Sequence, residues 1–374
     1  MLVRRVELRV VRIPLVAPFE TSGWVEENKT CIIVALEGDG VVGYGECVAQ
    51  ETPSYSYETV ETAWHVMSDF ILPAIVGREF QEVGEFVEAA SKARGFQIRG
   101  HNMAKAAVEM AFWDAYSKAR GISLSRALGG VKSEVPVGVS LGLQRTPEEL
   151  IRLIGRYLDE GYRRIKVKIK PGMDVELVRR VRDAYPSIPL MVDANGAYTL
   201  RDKERLKALD RYDLMMIEQP LAFDDLVDHA RLQRMLKTPI CLDESIHGVE
   251  DARKALMLKS CRVINIKPGR VGGHQQSKRI HDFCMRRGIP VWCGGMLETG
   301  VGRAHNVALA SLPNFTLPGD TSASRRYFQE DIVEPPFELN RDGTLSVPRG
   351  PGIGVEVVQE RLDKYTVRRR VFPG

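Results

Sequence analysis

The sequence predicts an α/β protein in which a barrel of parallel strands follows a smaller α+β domain. Two patterns support this prediction. From residue 131 to about 334, short β-type runs alternate with amphipathic helical segments, as parallel β/α units do. Before them, residues 1–130 contain strand-like runs and then helical periodicity. A chain of 374 residues is long enough to bury both cores.

The first domain is predicted to be a strand meander followed by helices. A Glu-Gly-Asp-Gly turn separates the last two strands, and helical spacing of apolar residues is clear over Met103–Tyr116. The tail, residues 335–374, has turn signals between short apolar runs, so we expect it to return and complete this domain. The predicted strands are Val6–Ile13, Cys31–Leu36 and Val41–Val48.

The second domain, residues 131–334, contains eight apolar runs that we interpret as barrel strands. Thr146-Pro147-Glu148-Glu149 combines a cap residue, a proline at the first helical position and a capping-box glutamate, which marks the start of the first helix. Eight β/α repeats close into a barrel whose catalytic residues lie at the carboxyl ends of the strands. The runs are Val135–Leu141, Arg164–Ile169, Pro189–Val192, Leu214–Ile217, Pro239–Leu242, Val263–Ile266, Pro290–Trp292 and Phe315–Leu317.

Composition excludes several classes of protein. The chain is 44% hydrophobic and 27% charged, as globular proteins are, and its 53 basic and 49 acidic residues are scattered, so nucleic acid is not an expected partner. No apolar run is long enough to cross a membrane, and the N-terminus lacks a signal-peptide core. Six scattered cysteines suit a reducing compartment, so we expect a cytoplasmic protein. Arg368–Arg370 is interpreted as a solvated strand edge.

Five charged residues, which we call the ladder, recur at a nearly constant spacing along the predicted barrel. Lys168, Asp193, Glu218 and Asp243 are each 25 residues apart, and Lys267 follows 24 residues later. Each ends an apolar run, so all five should face the same mouth of the barrel. Any one acid alone could be a helix cap or a surface ion pair, but five residues in register favour a functional site.

This ladder predicts a metal ion between two catalytic lysines. Asp193, Glu218 and Asp243 would repel one another unless a cation neutralised them, and their oxygen ligands favour Mg²⁺, with Mn²⁺ as a possible substitute. Lys168 and Lys267, on strands two and six, would flank the substrate. Burial and a nearby dication are expected to lower the lysine pKa values, so that a neutral amine can act as a general base on a carbon acid.

The ladder and its flanking residues resemble the enolase superfamily, and within it the muconate cycloisomerase subgroup. The resemblance covers essentially the whole chain. It implies a modified TIM barrel, (β/α)7β, with an α+β capping domain built from the N-terminal segment and the C-terminal tail. It also implies metal-assisted abstraction of a proton alpha to a carboxylate. The motifs are Lys166-Val-Lys168, Asp193-Ala-Asn195, Glu218-Gln-Pro220, Asp243-Glu-Ser245 and Lys267-Pro-Gly269.

Gly294–Asn306 and Pro318–Ser322 resemble the family of o-succinylbenzoate synthases and N-succinylamino acid racemases. This resemblance implies either a lyase that removes water from a cyclohexadiene carboxylate in menaquinone synthesis or a racemase, and both activities coexist in some members. Lys168 would be the base in the lyase, and Lys267 would be a second base or would stabilise the intermediate. A non-catalytic metal-binding barrel is a third alternative, which the two lysines oppose.

The remaining site residues are expected to bind substrate or to orient the ligands. Glu244 would act as an outer partner of the metal ligands, as would Asn195. Residues 18–24 and 52–59 are candidate specificity loops whose aromatic residues, including Trp24, either contact substrate or pack between the domains. We expect a small-molecule carboxylate as partner, and a homo-oligomer. The candidate substrate-binding residues are Lys166, Asn195, Ser140, Gly295, Met296, Phe19 and Tyr55.

Gly40-Val-Val-Gly43-Tyr-Gly45 resembles part of a dinucleotide-binding fingerprint, but a strand follows it where a helix is required. We therefore reject a dinucleotide site. Among the histidines, His101 and His305 could line the barrel mouth, although capping or packing roles are favoured.

Overall fold

The computed structural model describes residues 1–374 and contains two main hydrophobic cores, one in the capping domain and one in the barrel. No helix in it is long and apolar enough to span a membrane. All six cysteines are buried and unpaired, so they serve as small apolar side chains, as predicted.

The first domain begins with a long antiparallel hairpin. The first two strands extend well beyond the predicted runs and stay paired, with an irregularity after Pro14, as far as Glu20 and Val25. The hairpin therefore reaches from the capping domain to the barrel, where Leu143 donates its N–H to the carbonyl of Glu20 at 2.8 Å. The elements are β1 (Val3–Glu20), β2 (Val25–Gly38), β3 (Val41–Cys47), α1 (Val60–Val66), α2 (Val83–Ala90), β4 (Lys92–Ala93), β5 (Phe96–Gln97), α3 (Asn102–Ala119) and α4 (Leu124–Leu128).

The glycines of the rejected dinucleotide motif have a packing role. Gly43 and Gly45 lie in β3, against α3. A Cβ atom on Gly45 would lie 2.0 Å from the carbonyl oxygen of Ala107, and one on Gly43 would lie 2.2 Å from that of Ala111. Only glycine therefore lets the helix approach the strand this closely.

The barrel sheet has seven parallel strands in the order β7 to β13. Its eighth position is filled only by isolated bridges, Val291 to Phe315 and Val137 to Gly319, because Pro318 offers no N–H donor there. The elements are β6 (Glu134–Pro136), β7 (Val139–Leu141), α5 (Pro147–Asp159), β8 (Ile165–Lys168), α6 (Val175–Ala184), β9 (Leu190–Asp193), α7 (Lys203–Lys207), β10 (Ile217–Glu218), α8 (Leu226–Met235), β11 (Ile240–Leu242), α9 (Val249–Leu258), β12 (Val263–Ile266), α10 (Pro268–Val271), α11 (His274–Met285), β13 (Val291–Cys293) and α12 (Gly300–Ala310).

One predicted barrel strand is divided. Val135–Leu141 was expected to be continuous, but its first part, β6, pairs antiparallel with the tail, and only β7 enters the barrel. The break falls at Pro136 and Gly138, two residues that weaken a strand interior.

The tail returns to the first domain with its last strand. Its last strand pairs with β1 and completes an antiparallel sheet in the order β17-β1-β2-β3. Arg368–Arg370 lie on this exposed edge strand, which confirms their interpretation. The tail elements are β14 (Val333–Glu334), β15 (Thr344–Ser346), β16 (Glu356–Val357), α13 (Gln359–Tyr365) and β17 (Thr366–Pro373).

Candidate active site

The ladder residues are buried at the carboxyl ends of adjacent barrel strands. Lys168 is in register with Asp193, and Asp193 is in register with Glu218, so these three residues share one level of the sheet. Asp243 and Lys267 directly follow β11 and β12. Because parallel strands present their carboxyl ends at one edge, the constant spacing in sequence becomes proximity in space.

Each lysine amine is bonded to a carboxylate. Nζ of Lys168 donates to Asp193 Oδ2 at 2.6 Å and to Asn195 Oδ1 at 2.7 Å. Nζ of Lys267 donates to Asp243 Oδ2 at 2.8 Å. Since the two lysines have different carboxylate partners, the cavity has two separately anchored amines.

The third lysine, Lys166, lies among several carboxylates. Its Nζ donates to Glu218 Oε2 at 2.9 Å and lies 3.4 Å from Asp193 Oδ2, and it also pairs with Asp320. Lys166 therefore links the metal-ligand candidates to the last barrel loop.

The pKa values of the three acids differ in direction. Burial raises the pKa of Asp243, but Lys267 and then Arg270 outweigh it, so this pKa lies below its usual range. The pKa of Asp193 is also lowered, because Lys168 and Lys166 outweigh burial. Burial and then the Asp193 charge raise the pKa of Glu218 well above its usual range. Glu218 is thus the acid whose negative charge is least compensated by the protein.

The protein's own charges act on the pKa of Lys267 in the opposite direction to burial. Burial is the largest single effect and lowers this pKa, but the charges of Asp243 and then Tyr55 outweigh it, and the pKa lies above its usual range. The pKa of Lys166 is raised for the same kind of reason, here with Asp320 as the strongest opposing charge. The lowered lysine pKa values expected from sequence included a dication beside the amines, and they stay a prediction for the metal-bound site.

The carboxylates do not form a ready three-ligand cluster in this conformation, because lysine and arginine donors occupy their oxygens. Their chemistry nevertheless fits a hard divalent cation. Asp193, Glu218 and Asp243 supply only oxygen ligands, all fully or almost fully buried. The raised pKa of Glu218 marks the place where an added positive charge would be most stabilising.

A cavity lies at the barrel mouth. Lys166, Lys168 and Lys267 all line it and offer ammonium donors to an anionic group of a ligand, beside the carboxylates of Glu26 and Asp320. Asp193 also reaches its surface, whereas Glu218 and Asp243 lie beneath the lining. The other predicted residues that line the cavity are Phe19, Trp24, Tyr55, Ser140, Asn195, Gly295 and Met296.

The capping domain forms part of the cavity wall. Ser22 donates its hydroxyl to the carbonyl of Ile169 at 2.9 Å, which fastens the hairpin tip to the barrel. Phe19 packs edge-on against Tyr327, with ring centroids 6.3 Å apart. Aromatic side chains of the two loops thus make interdomain contacts as well as lining the cavity.

Glu244 lies behind the cavity lining. Its Oε1 accepts from Asn195 Nδ2 at 2.9 Å, so it orients the amide that holds Lys168. Its Oε2 has no hydrogen-bond partner, and burial followed by the Asp243 charge raises its pKa to about 7.

Three charged residues at the site were not identified from sequence, namely Glu26, which lines the cavity, Arg270 and Asp320. Arg270 bonds Asp243 and also donates to the Tyr55 hydroxyl at 3.1 Å. Asp320 accepts from Arg164 Nη1 at 2.7 Å and pairs with Lys166. Asp320 lies three residues after the end of the eighth apolar run, so the strand-end rule could have found it, whereas no sequence pattern marked Arg270.

The candidate histidines have structural roles. His101 precedes α3 in a left-handed conformation, with φ of 52°. His305 is buried against His274, with ring nitrogens 2.9 Å apart, and its other nitrogen lies 2.8 Å from the Tyr44 carbonyl. Neither lines the cavity.

Family models place this fold and site in a known class. Residues 4–129 match the mandelate racemase / muconate lactonizing enzyme N-terminal domain, and residues 149–361 match the enolase C-terminal domain-like family. The chain therefore belongs to the enolase superfamily and is an enzyme of its mandelate racemase / muconate lactonizing group. Enzymes of this group generally depend on a divalent metal ion.

Individual relatives match over the full length. The chain is 55% identical over 366 residues to the o-succinylbenzoate synthase of Geobacillus kaustophilus, covering 98% of this chain and 96% of that protein. It is 49% identical over 370 residues to the N-succinylamino acid racemase of Thermus thermophilus, covering 99% of each chain. A solved enolase-superfamily structure from Listeria innocua aligns with a TM-score of 0.95 and 46% identity, over 100% of this chain and 99% of that one.

Proposed function

We propose that this protein is an o-succinylbenzoate synthase, a metal-dependent lyase that dehydrates a succinyl-hydroxycyclohexadiene carboxylate in menaquinone synthesis. The observation that carries the proposal is the placement of Lys168. Its amine lines a cavity with two further lysines and is oriented by Asp193 and Asn195. Full-length similarity to the o-succinylbenzoate synthase of Geobacillus kaustophilus supports the lyase assignment.

In this reaction one lysine handles both proton transfers. The C–H bond next to the substrate carboxylate breaks, and the proton passes to the neutral amine of Lys168. The C–O bond of the ring hydroxyl then breaks, and the leaving hydroxide takes the proton from Lys168 and departs as water while the ring becomes aromatic. Because hydrogen and hydroxyl leave from the same face, a single base is sufficient. Lys166 would position the substrate carboxylate.

We assign the metal ion as Mg²⁺, with Mn²⁺ able to substitute, and its ligands as Asp193, Glu218 and Asp243. When bound, the ion supplies positive charge beside the substrate carboxylate, where negative charge develops. The side chains in contact with these acids, Lys168 and Lys267 among them, compensate their charges when the ion is absent.

The test is turnover of the cyclohexadiene carboxylate with and without metal. We expect formation of o-succinylbenzoate in the presence of Mg²⁺ and its loss after chelation, with recovery when Mg²⁺ is returned. Absence of metal-dependent dehydration would reject the assignment.

N-succinylamino acid racemisation is the second candidate, and Lys267 is the observation that favours it. A dehydration on one face does not require a lysine on strand six, yet the Lys267 amine lines the same cavity. Incubation of each enantiomer of an N-succinylamino acid in heavy water tests this activity. Deuterium at the alpha carbon supports it, and no incorporation from either enantiomer rejects it.

A further inference from the structure

The loop after the seventh barrel strand is strained where it lines the cavity. Leu297 has a φ of 56°, in the left-handed region that residues other than glycine rarely adopt. The same loop contributes Gly295 and Met296 to the cavity wall. Such a conformation persists only where the surrounding structure fixes it.

Two buried side chains of the capping domain fix this loop. Lys29, in β2, donates from Nζ to the Met296 carbonyl at 2.8 Å. Glu46, in β3, accepts from the Thr299 hydroxyl at 2.6 Å and lies 3.7 Å from Lys29 Nζ. Because Lys29 and Glu46 are 4% and 0% exposed, their contacts are shielded from water.

The loop in turn contacts Lys267. Sδ of Met296 lies 3.6 Å from the Lys267 amine, which also faces Asp243 at 2.8 Å and the Tyr55 hydroxyl at 3.3 Å. A lysine amine has three donors, so these three contacts define its direction. Lys168 is held by Asp193 and Asn195 instead, and it is therefore independent of this loop.

We propose that Lys29 is a positioning residue that acts through the Met296 carbonyl to direct the Lys267 amine at one face of the substrate. This inference rests on the proposed function, since it concerns proton transfer in the same cavity. The capping domain thereby controls one of the two lysines and leaves Lys168 unaffected.

The test is alpha-hydrogen exchange in heavy water from each enantiomer of N-succinylalanine, with Mg²⁺ present. Lys267→Ala identifies the enantiomer whose hydrogen faces Lys267. In Lys29→Met we expect the exchange rate of that enantiomer to fall at least about tenfold, which corresponds to about 1.4 kcal/mol in the activation free energy. The exchange rate of the other enantiomer should stay within about twofold of the native rate. Equal loss from both enantiomers, or no loss, would overturn the proposal.

Two variants distinguish a positioning role of Lys29 from general damage to the fold. Lys118→Met removes the lysine from another buried carboxylate, Asp114, in the same domain, and should leave both exchange rates within about twofold of the native rates. Lys29→Arg keeps a donor for Met296 and should restore much of the lost rate.

If Lys29→Met does not fold, Lys29→Gln decides the question, because its shorter side chain withdraws the ammonium donor from the Met296 carbonyl and keeps a polar group in the buried site. The same one-sided loss is expected, and an equal effect on both enantiomers would overturn the proposal. A native protein that dehydrates the cyclohexadiene carboxylate but exchanges neither enantiomer would contradict this inference and leave the proposed function standing.

Discussion

The hydroxyl of Tyr55, in the capping domain, donates to Oδ1 of Asp243, in the barrel, at 2.9 Å. Arg270 and Lys267 bond the same carboxylate. One proposed metal ligand is therefore bonded by a residue of the specificity loop, and an incoming cation must compete with these donors. Metal binding and the position of this loop are consequently coupled.

Replacing Tyr55 with phenylalanine should strengthen Mg²⁺ binding. The change removes one hydrogen bond that competes for Asp243, worth about 1 kcal/mol, so the dissociation constant should fall about fivefold in a calorimetric titration. Tyr57→Phe, at an exposed position of the same loop, should leave the affinity unchanged. Equal or weaker binding in Tyr55→Phe would contradict the competition.

Asp320→Asn should destabilise the barrel strongly. Asp320 pairs with two buried cations, Arg164 and Lys166, and both would lose their carboxylate. Breaking a buried pair from one side costs about 3–5 kcal/mol, so urea unfolding should show a loss of that order. The control is Asp183→Asn, which breaks an exposed pair with Arg179 and should cost no more than about 1 kcal/mol. Similar losses in both variants would refute the burial argument.

Glu109→Gln should stabilise the protein at alkaline pH but not at acidic pH. Glu109, in α3, accepts from the backbone N–H of Gln275 at 2.8 Å, and its Oε2 has no partner. Burial raises its pKa to about 7, from an ordinary value of 4.5. Between these values the unfolded chain loses the proton while the folded chain keeps it, so stability falls as pH rises and then stays constant above pH 7.

Glutamine keeps the accepting oxygen and removes this penalty. At pH 8 the free energy of unfolding should rise by about 3 kcal/mol, since each pKa unit corresponds to about 1.4 kcal/mol. The gain should disappear near pH 4.5. Urea unfolding at both pH values measures the difference, and a gain that does not depend on pH would contradict the titration of Glu109.

The architecture was predictable because its signals are local. Periodicity, caps and the constant spacing of strand ends indicate a barrel with a capping domain, and the structure confirms this fold class. The site depends on contacts between distant parts of the chain. Lys29 and Met296 are 267 residues apart, and no pattern along the sequence records their hydrogen bond. The pKa of Lys267 also depends on such a contact, because the charge of Asp243 opposes the effect of burial.

In the proposed reaction, Lys168 transfers the proton while Asp193, Glu218 and Asp243 hold the metal. Its most direct test measures dehydration and Mg²⁺ binding on the same preparation of Lys168→Ala, with Lys170→Ala, outside the cavity lining, as control. We expect dehydration to fall by about 10²–10⁴-fold, the usual contribution of a general base, with Mg²⁺ affinity retained or increased, because Lys168 competes with the cation for Asp193. The control should keep native activity. Dehydration at the native rate by Lys168→Ala would contradict the assignment of Lys168 as the base.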